Sequence, residues 1–309
     1  MNTVKIKAYA KINLTLEIVG AKDGFHALDS VVASVDLFDL IVLKKRKDKL
    51  SFITMKGQGS ESIPPENNNA LKAAERFSQT FGTNGVEITV YKNIPIGAGL
   101  GGSSADVAGV LNGMAKLYHI TDEPALEKLA QSLGSDTPYM RKGGFQRMSG
   151  RGELLTPIYT DKTLHFLAIY PPTPVSAGAC YQQYDALQIP FSNGEKTSAF
   201  LTFLESKITP NEGGRYLTND LFKAACALNS DVQKAYAEAL SFSPLGAVMS
   251  GSGSCVLAWF ETKELCEWAK SRYKGKFKTL LLKTVAPEKE KRKLFRNPFA
   301  LTETETTRI

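Results

Sequence analysis

Asn93-Ile94-Pro95-Ile96-Gly97-Ala98-Gly99-Leu100-Gly101-Gly102-Ser103-Ser104-Ala105-Asp106 is the stretch on which the reading of this chain turns. It follows the alternating run Val86, Ile88 and Val90, and it opens a helically spaced segment reaching Tyr118. In a strand, glycine loop and helix start placed in that order, the glycines let backbone N–H groups turn toward an anion, and the helix dipole adds to their pull. Alone, the segment is compatible with a phosphate cradle or with a tight turn that seats a helix on a sheet. Gly97, Gly99 and Gly102 also satisfy G-x-G-x-x-G, with Asp122 and Glu123 about twenty residues further on, as a dinucleotide site would require. Two features count against that site. The preceding strand alternates with polar residues, unlike the all-apolar first strand of a parallel doubly wound sheet, and Asp122 before Pro124 reads as a helix N-cap. No G-K-[ST] follows, so the loop is not of the Walker type.

Working outward, Val4 to Val19 places apolar residues at near-alternate positions, the period of half-buried strands. Leu28 to Leu43 is again apolar, interrupted by Asp36-Leu37-Phe38-Asp39, and Leu50 to Met55 reads as a short partner strand. The connections are too short for helical crossovers, so an antiparallel sheet is expected here. Asn69 to Phe81 has helical spacing with Gly82 as its stop. Past Gly152-Glu153 the character changes: a strand from Leu164 to Tyr170, then a proline-rich loop. A second small-residue loop, Met249 to Cys255, precedes the apolar run Val256 to Phe260, and its hydroxyls can donate to phosphate or substrate oxygens. The expected division is 1–155, 156–285 and a polar tail 286–309.

Composition narrows the class. The 309 residues are 43% hydrophobic and 22% charged, which excludes a disordered or fibrous chain. Cys180, Cys226, Cys255 and Cys266 form no C-x-x-C pair, so reduced cytoplasmic thiols are expected rather than zinc or disulfides. Neither a signal peptide nor an apolar run of membrane-spanning length is read in the sequence. With 38 basic against 31 acidic residues the net charge is +7. The excess lies in Lys44 to Lys49 and Lys289 to Lys293, without the interleaved aromatics of a nucleic-acid platform. Such an excess also attracts phosphorylated small molecules.

Three separated segments resemble one superfamily, the GHMP kinases (galacto-, homoserine, mevalonate and phosphomevalonate kinases). They are Ala8-Tyr9-Ala10-Lys11-Ile12-Asn13-Leu14, the loop from Pro95 to Ala105, and Ser250-Gly251-Ser252-Gly253-Ser254. Within the superfamily, Lys22-Asp23-Gly24-Phe25-His26, Leu133-Gly134-Ser135-Asp136-Thr137-Pro138 and Gly150-Arg151-Gly152-Glu153-Leu154-Leu155-Thr156-Pro157 look like the motifs of the 4-diphosphocytidyl-2-C-methyl-D-erythritol kinase family. The match runs from about residue 5 to 260, and it departs at Val175-Ser176-Ala177, where V-S-T is frequent.

The resemblance implies a two-domain α+β GHMP kinase fold, with an N-terminal mixed sheet and helices and a ferredoxin-like C-terminal domain. It also implies transfer of the ATP γ-phosphate to the 2-hydroxyl of that family's substrate, in the methylerythritol phosphate route to isoprenoid and terpenoid precursors. Another GHMP small-molecule kinase, of homoserine or mevalonate type, and a catalytically silent ligand-binding member are the alternatives; neither accounts for all the motifs. Asp136 is implied as the base for the acceptor hydroxyl, with Lys11 beside it stabilising charge. A turn aspartate before Pro138 and an exposed strand lysine are the ordinary readings of those residues. Asn13, Phe25, His26, Ser176 and Tyr181 are implied for substrate, with Phe25 stacking on a cytosine, His26 bonding its edge and Tyr181 on the opposite face. Pro95, Gly97, Ala98, Gly99, Leu100, Gly101, Gly102, Ser103 and Ser104 are implied for the phosphates, Asn68 for the adenine end, and Ser250, Gly251, Ser252 and Gly253 as the late loop. Mg²⁺ is expected with mostly water and nucleotide oxygens as ligands, and no protein ligand follows from the sequence. The implied partner is a small molecule bearing a cytidine diphosphate, without nucleic acid or membrane, in a cytoplasmic monomer or weak homodimer.

Overall fold

Alternation of apolar and polar residues builds the first three strands, β1 (Thr3–Asn13), β2 (Thr15–Lys22) and β3 (Phe25–Lys45), followed by the short β4 (Phe52–Lys56). The computed structural model describes residues 2–57, 60, 64, 67–206 and 210–286; the expected polar tail lies outside them but for residue 286. Helix α1 (Asn69–Phe81), β5 (Val86–Tyr91), α2 (Gly102–Tyr118), α3 (Glu123–Leu133), α4 (Thr137–Lys142), β6 (Phe145–Gly150) and β7 (Leu154–Pro157) complete the first half. The second half contains β8 (His165–Tyr170), α5 (Ala177–Ala186), α6 (Glu195–Glu205), α7 (Pro210–Gly213), β9 (Thr218–Asn219), α8 (Phe222–Leu228), α9 (Ser230–Leu240), β10 (Gly246–Met249), β11 (Val256–Phe260), α10 (Lys263–Arg272) and β12 (Lys278–Lys283).

Among the described residues the strands form two sheets. The larger has eight strands, with path β4-β5-β3-β2-β9, while β1 and β6 pair with β3 and β7 with β6. It is mixed, since β4–β5 and β2–β9 are parallel and the remaining pairs antiparallel. The smaller sheet is antiparallel throughout, in the order β10-β11-β8-β12. This is the α+β arrangement expected. A common apolar core joins the two sheets, running from Ile12 and Leu14 on β1 and its following turn to Phe166 on β8 and Trp259 on β11. Each fully buried side chain of this kind contributes roughly 1.5–3 kcal/mol.

Helix ends follow the local chemistry. The Asn68 side chain accepts from the N–H of Ala70 at 2.9 Å, and Gly82 ends α1 in the left-handed region at φ 66°. Asp122 accepts from the N–H of Ala125 at 3.0 Å, so it is the N-cap of α3 and not a ribose anchor.

Two local expectations change. The segment Asp36-Leu37-Phe38-Asp39 makes no break, because β3 runs through it as one 21-residue strand. Asp39 is wholly buried and takes N–H groups from Asn93 and Ile94 at 2.6 and 2.9 Å, so its carboxylate serves a distant loop rather than a turn. The strand near Leu50–Met55 pairs in parallel with β5, not antiparallel with β3, since α1 supplies the crossover that a parallel pair needs.

Candidate active site

The glycine loop joins β5 to α2 and alternates its backbone hand: Gly97, Gly99 and Gly101 have φ of 70°, 76° and 72°. At Gly99 a side chain would run into the carbonyl of Ser250 and lie 2.9 Å from that of Gly253, so the close approach of the second loop itself demands glycine there. The loop lines a cavity of about 260 Å³ together with Asn67, Asn68, Lys92 and Asp106. Asn69 Nδ2 donates to Ser103 Oγ at 3.4 Å, tying the start of α1 to the start of α2.

Lys11 meets the same loop from the sheet side. A bulge between Tyr9 and Lys11 shifts the β1–β3 register, and Ala10, Lys11 and Ile12 are consecutively buried there. The Lys11 N–H donates to the Leu100 carbonyl at 3.0 Å. Its Nζ donates to Asn13 Oδ1 at 2.7 Å and stands 3.5 Å from Asp136 Oδ2. Asn13 is held in turn through Nδ2, which donates to Ser30 Oγ at 2.9 Å. Asp136 occupies the N-cap position of α4, yet its side chain makes no capping bond, so the ordinary turn role leaves the carboxylate unused. It is 32% exposed against 8% for the Lys11 side chain, an arrangement in which a buried cation backs a carboxylate that solvent, and hence a substrate, can reach.

The late loop braces this arrangement. Ser250 Oγ donates to the Gly99 carbonyl at 3.0 Å and accepts from the Asn13 N–H at 3.3 Å. Ser252 and Ser254 donate to the carbonyls of Val175 and Pro171, and Asn219 Nδ2 clasps the carbonyls of Met249 and Gly251 at 2.7 and 2.8 Å. The three hydroxyls therefore hold backbone in the structure, where the sequence suggested oxygens of a ligand.

His26 and Phe25 start β3, away from the glycine loop. His26 stacks on Tyr181, with ring centroids 5.0 Å apart, so Tyr181 faces the imidazole. Phe25 is 52% exposed and carries the Arg151 guanidinium over its ring at 3.8 Å. Burial pushes the Tyr181 hydroxyl well above its usual range, with the Asp136 charge adding to it, so it stays neutral. Ser176 is the N-cap residue of α5 without a side-chain cap bond, in the same helix that brings Tyr181 to His26.

One cluster escaped the sequence. Lys92 is buried beneath the glycine loop, donating to Asp39 Oδ2 and, at 2.7 Å, to Asp106 Oδ2, while Asp106 Oδ1 has no partner. Burial pushes the Asp106 carboxyl up to about 7, with the neighbouring Asp39 adding to the rise and Lys92 opposing it. Burial also works against the charge on Lys92, but the two carboxylates override it and hold its pKa above the ordinary value. The available signal was a lysine and an aspartate flanking the loop at both ends, two residues that a solvated loop would not require.

Among the described residues no helix is long and apolar enough to cross a membrane, and all four cysteines are free. Residues 68–145 match the GHMP kinases N-terminal domain and 206–277 the GHMP kinases C-terminal domain. A 4-diphosphocytidyl-2-C-methyl-D-erythritol kinase of Clostridium beijerinckii is 32% identical over 288 residues, which is 89% of this chain and 99% of that one. The kinase of the same name from Caldicellulosiruptor saccharolyticus is 32% identical over 283 residues, 90% and 96% of the two chains. A crystal structure of a 4-(cytidine 5'-diphospho)-2C-methyl-D-erythritol kinase matches with a TM-score of 0.76 at 26% identity, covering 92% of this chain and all of the other. Homoserine kinase from Cytophaga hutchinsonii, with a TM-score of 0.69 at 18% identity over 93% and 95% of the chains, shares the fold. The glycine loop and Asp136 fall inside the first matched domain, and the relatives' likeness covers about nine-tenths of the chain; the chain belongs to the 4-diphosphocytidyl-2-C-methyl-D-erythritol kinase family of the GHMP kinases.

Proposed function

We propose that this protein transfers the γ-phosphate of ATP to the 2-hydroxyl of 4-diphosphocytidyl-2-C-methyl-D-erythritol, releasing ADP and the 2-phosphate. The observation that carries the reading is the Lys11–Asp136 pair, 3.5 Å apart and bonded into the glycine loop through the Lys11 N–H. Phosphoryl transfer asks the protein for position and charge more than for covalent help. Asp136 accepts the proton of the acceptor hydroxyl as its oxygen bonds to the γ-phosphorus and the bond from phosphorus to the ADP oxygen breaks. Lys11, fixed by Asn13, places a cation where negative charge gathers on the transferring group. The N–H groups from Gly97 to Ser104 cradle the phosphates at the start of α2, and Asn68, on the wall of the same cavity, is assigned to the adenine end. Phe25 and His26 take the cytosine at the far end, with Tyr181 and Ser176 on the helix beside them.

The residues present fit a magnesium ion carried by the nucleotide. Such an ion keeps most of its ligands as phosphate and water oxygens. Among the described residues no three His, Cys, Asp or Glu side chains converge, and the half-buried Ser104 hydroxyl on the cavity wall could supply one oxygen. The ion would neutralise charge on the leaving ADP. The four free thiols suit a reducing cytoplasm, where we place the protein as a monomer or weak homodimer.

The test mixes purified protein with ATP, Mg²⁺ and the cytidine-diphospho-methylerythritol substrate and follows ADP. Substrate-dependent ADP that falls by about 10²–10⁴-fold in Asp136→Asn supports the reading. No ADP from the wild type, with turnover of homoserine or mevalonate instead, overturns it.

A further inference from the structure

His26 is held from three sides by a single turn of α5. Tyr181 lies nearly parallel to it at 5.0 Å and 23°, Tyr184 meets it edge-on at 5.7 Å and 87°, and Asp185 Oδ1 stands 2.7 Å from Nε2. Positions 181, 184 and 185 share one helix face because they are three and four residues apart, so α5 forms a fitted seat for the imidazole. The seat also sorts the polar atoms of the ring. A carboxylate oxygen accepts, so Nε2 carries the hydrogen, and in the neutral ring Nδ1 is left with a lone pair. Among the described residues Nδ1 has no hydrogen-bond partner. Asp185 itself is 61% exposed while the His26 side chain is 13% exposed, so the carboxylate is not a core requirement of the fold.

Resting on the reading of Phe25 and His26 as the base-binding end, we infer that Asp185 is a positioning residue that fixes the hydrogen of His26 on Nε2. Nδ1 then accepts from the exocyclic amino group of cytosine. Uracil presents O4 in that place, a second acceptor, and the two lone pairs repel. Asp185 thereby sets a preference for cytidine over uridine without touching the base. Sites that spend a buried polar group on one substrate hydrogen bond reject the analogue lacking it by far more than a hydrophobic pocket would.

The test compares kcat/KM for the cytidine substrate and its uridine counterpart at saturating ATP in wild type, Asp185→Ala and Asp185→Asn, and reads the ring nitrogens of His26 by ¹⁵N NMR. The chain has three histidines, so a His26→Gln sample assigns the resonance. The expected result is a wild-type preference for cytidine of at least about a hundredfold and the Nε2–H tautomer in the free protein. Asp185→Ala should lose that preference by about tenfold or more, through KM for cytidine with kcat little changed, whereas Asp185→Asn, whose Oδ1 still accepts from Nε2–H, should keep most of it. Equal weakening of both substrates by Asp185→Ala, with the preference intact, would reduce Asp185 to a structural tie. A hydrogen on Nδ1 in the wild type would overturn the inference outright. Turnover of neither substrate by the wild type would instead overturn the kinase reading, and the tautomer would still decide whether Asp185 orders the ring.

Discussion

Gly101 and Lys11 exclude each other's space. A side chain at Gly101 would collide with the Met140 methyl and come within 2.9 Å of Lys11 Cγ, at a residue whose φ is 72°. The loop proposed to grip the phosphates and the lysine proposed to neutralise them are thus packed surfaces of one unit. Gly101→Ala is expected to cost about 1–2 kcal/mol of stability from the left-handed backbone alone and to lower kcat more than the KM for ATP. Urea unfolding beside steady-state kinetics separates the two effects.

Replacing Lys11 by Met keeps the apolar stem and removes the charge. The expected outcome is a loss in kcat of about 10²–10³-fold with thermal unfolding shifted by only a few degrees. A loss appearing solely in KM would mean that Lys11 binds substrate and transition state alike.

Ser250 is the hinge-pin between the two small-residue loops. Ser250→Ala strands the Asn13 N–H and removes the donor to the Gly99 carbonyl. It is expected to destabilise by about 1–3 kcal/mol and to raise the KM for ATP, while Ser252→Ala, whose bond to Val175 is a longer 3.4 Å, costs less. Paired denaturation curves check the order.

Asp106 makes stability depend on pH in an unusual direction. Its folded pKa, about 7, lies above the ordinary 3.8, so the folded protein binds more protons than the unfolded chain between those values. Stability contributed at this site is therefore present below about pH 4 and lost as pH rises toward 7. Asp106→Asn removes the titration and keeps an acceptor for Lys92. The wild-type stability minus that of the variant should fall between pH 4 and 7 and be flat above; a rise across the window would contradict the assignment.

What the sequence made legible was whatever chemistry lies close along the chain. The glycine loop, α2 behind it, the Gly82 stop of α1 and the cap at Asp122 all depend on residues within a few positions of each other, and each is found where its pattern put it. Asp39 was misread as part of a strand break because its partners, Asn93, Ile94 and Lys92, lie more than fifty residues away. The parallel pairing of β4 with β5 was hidden for the same reason, since short strands carry no mark of direction. The seat of His26 on α5 joins residues 159 positions apart, and the serines of the late loop look identical whether they face a ligand or a carbonyl.

Strand β3 carries His26 at one end, pairs Ser34 with Lys11 in its middle, and buries Asp39 under the glycine loop further along. A strand advances about 3.3 Å per residue, so the residues proposed to read the base and to form the transferring centre, and the anchor of the glycine loop, are spaced along one hydrogen-bonded ruler. With those roles, acceptor length is gauged by the backbone itself: a molecule with the right head group but a shorter or longer bridge would seat its base and miss the phosphate.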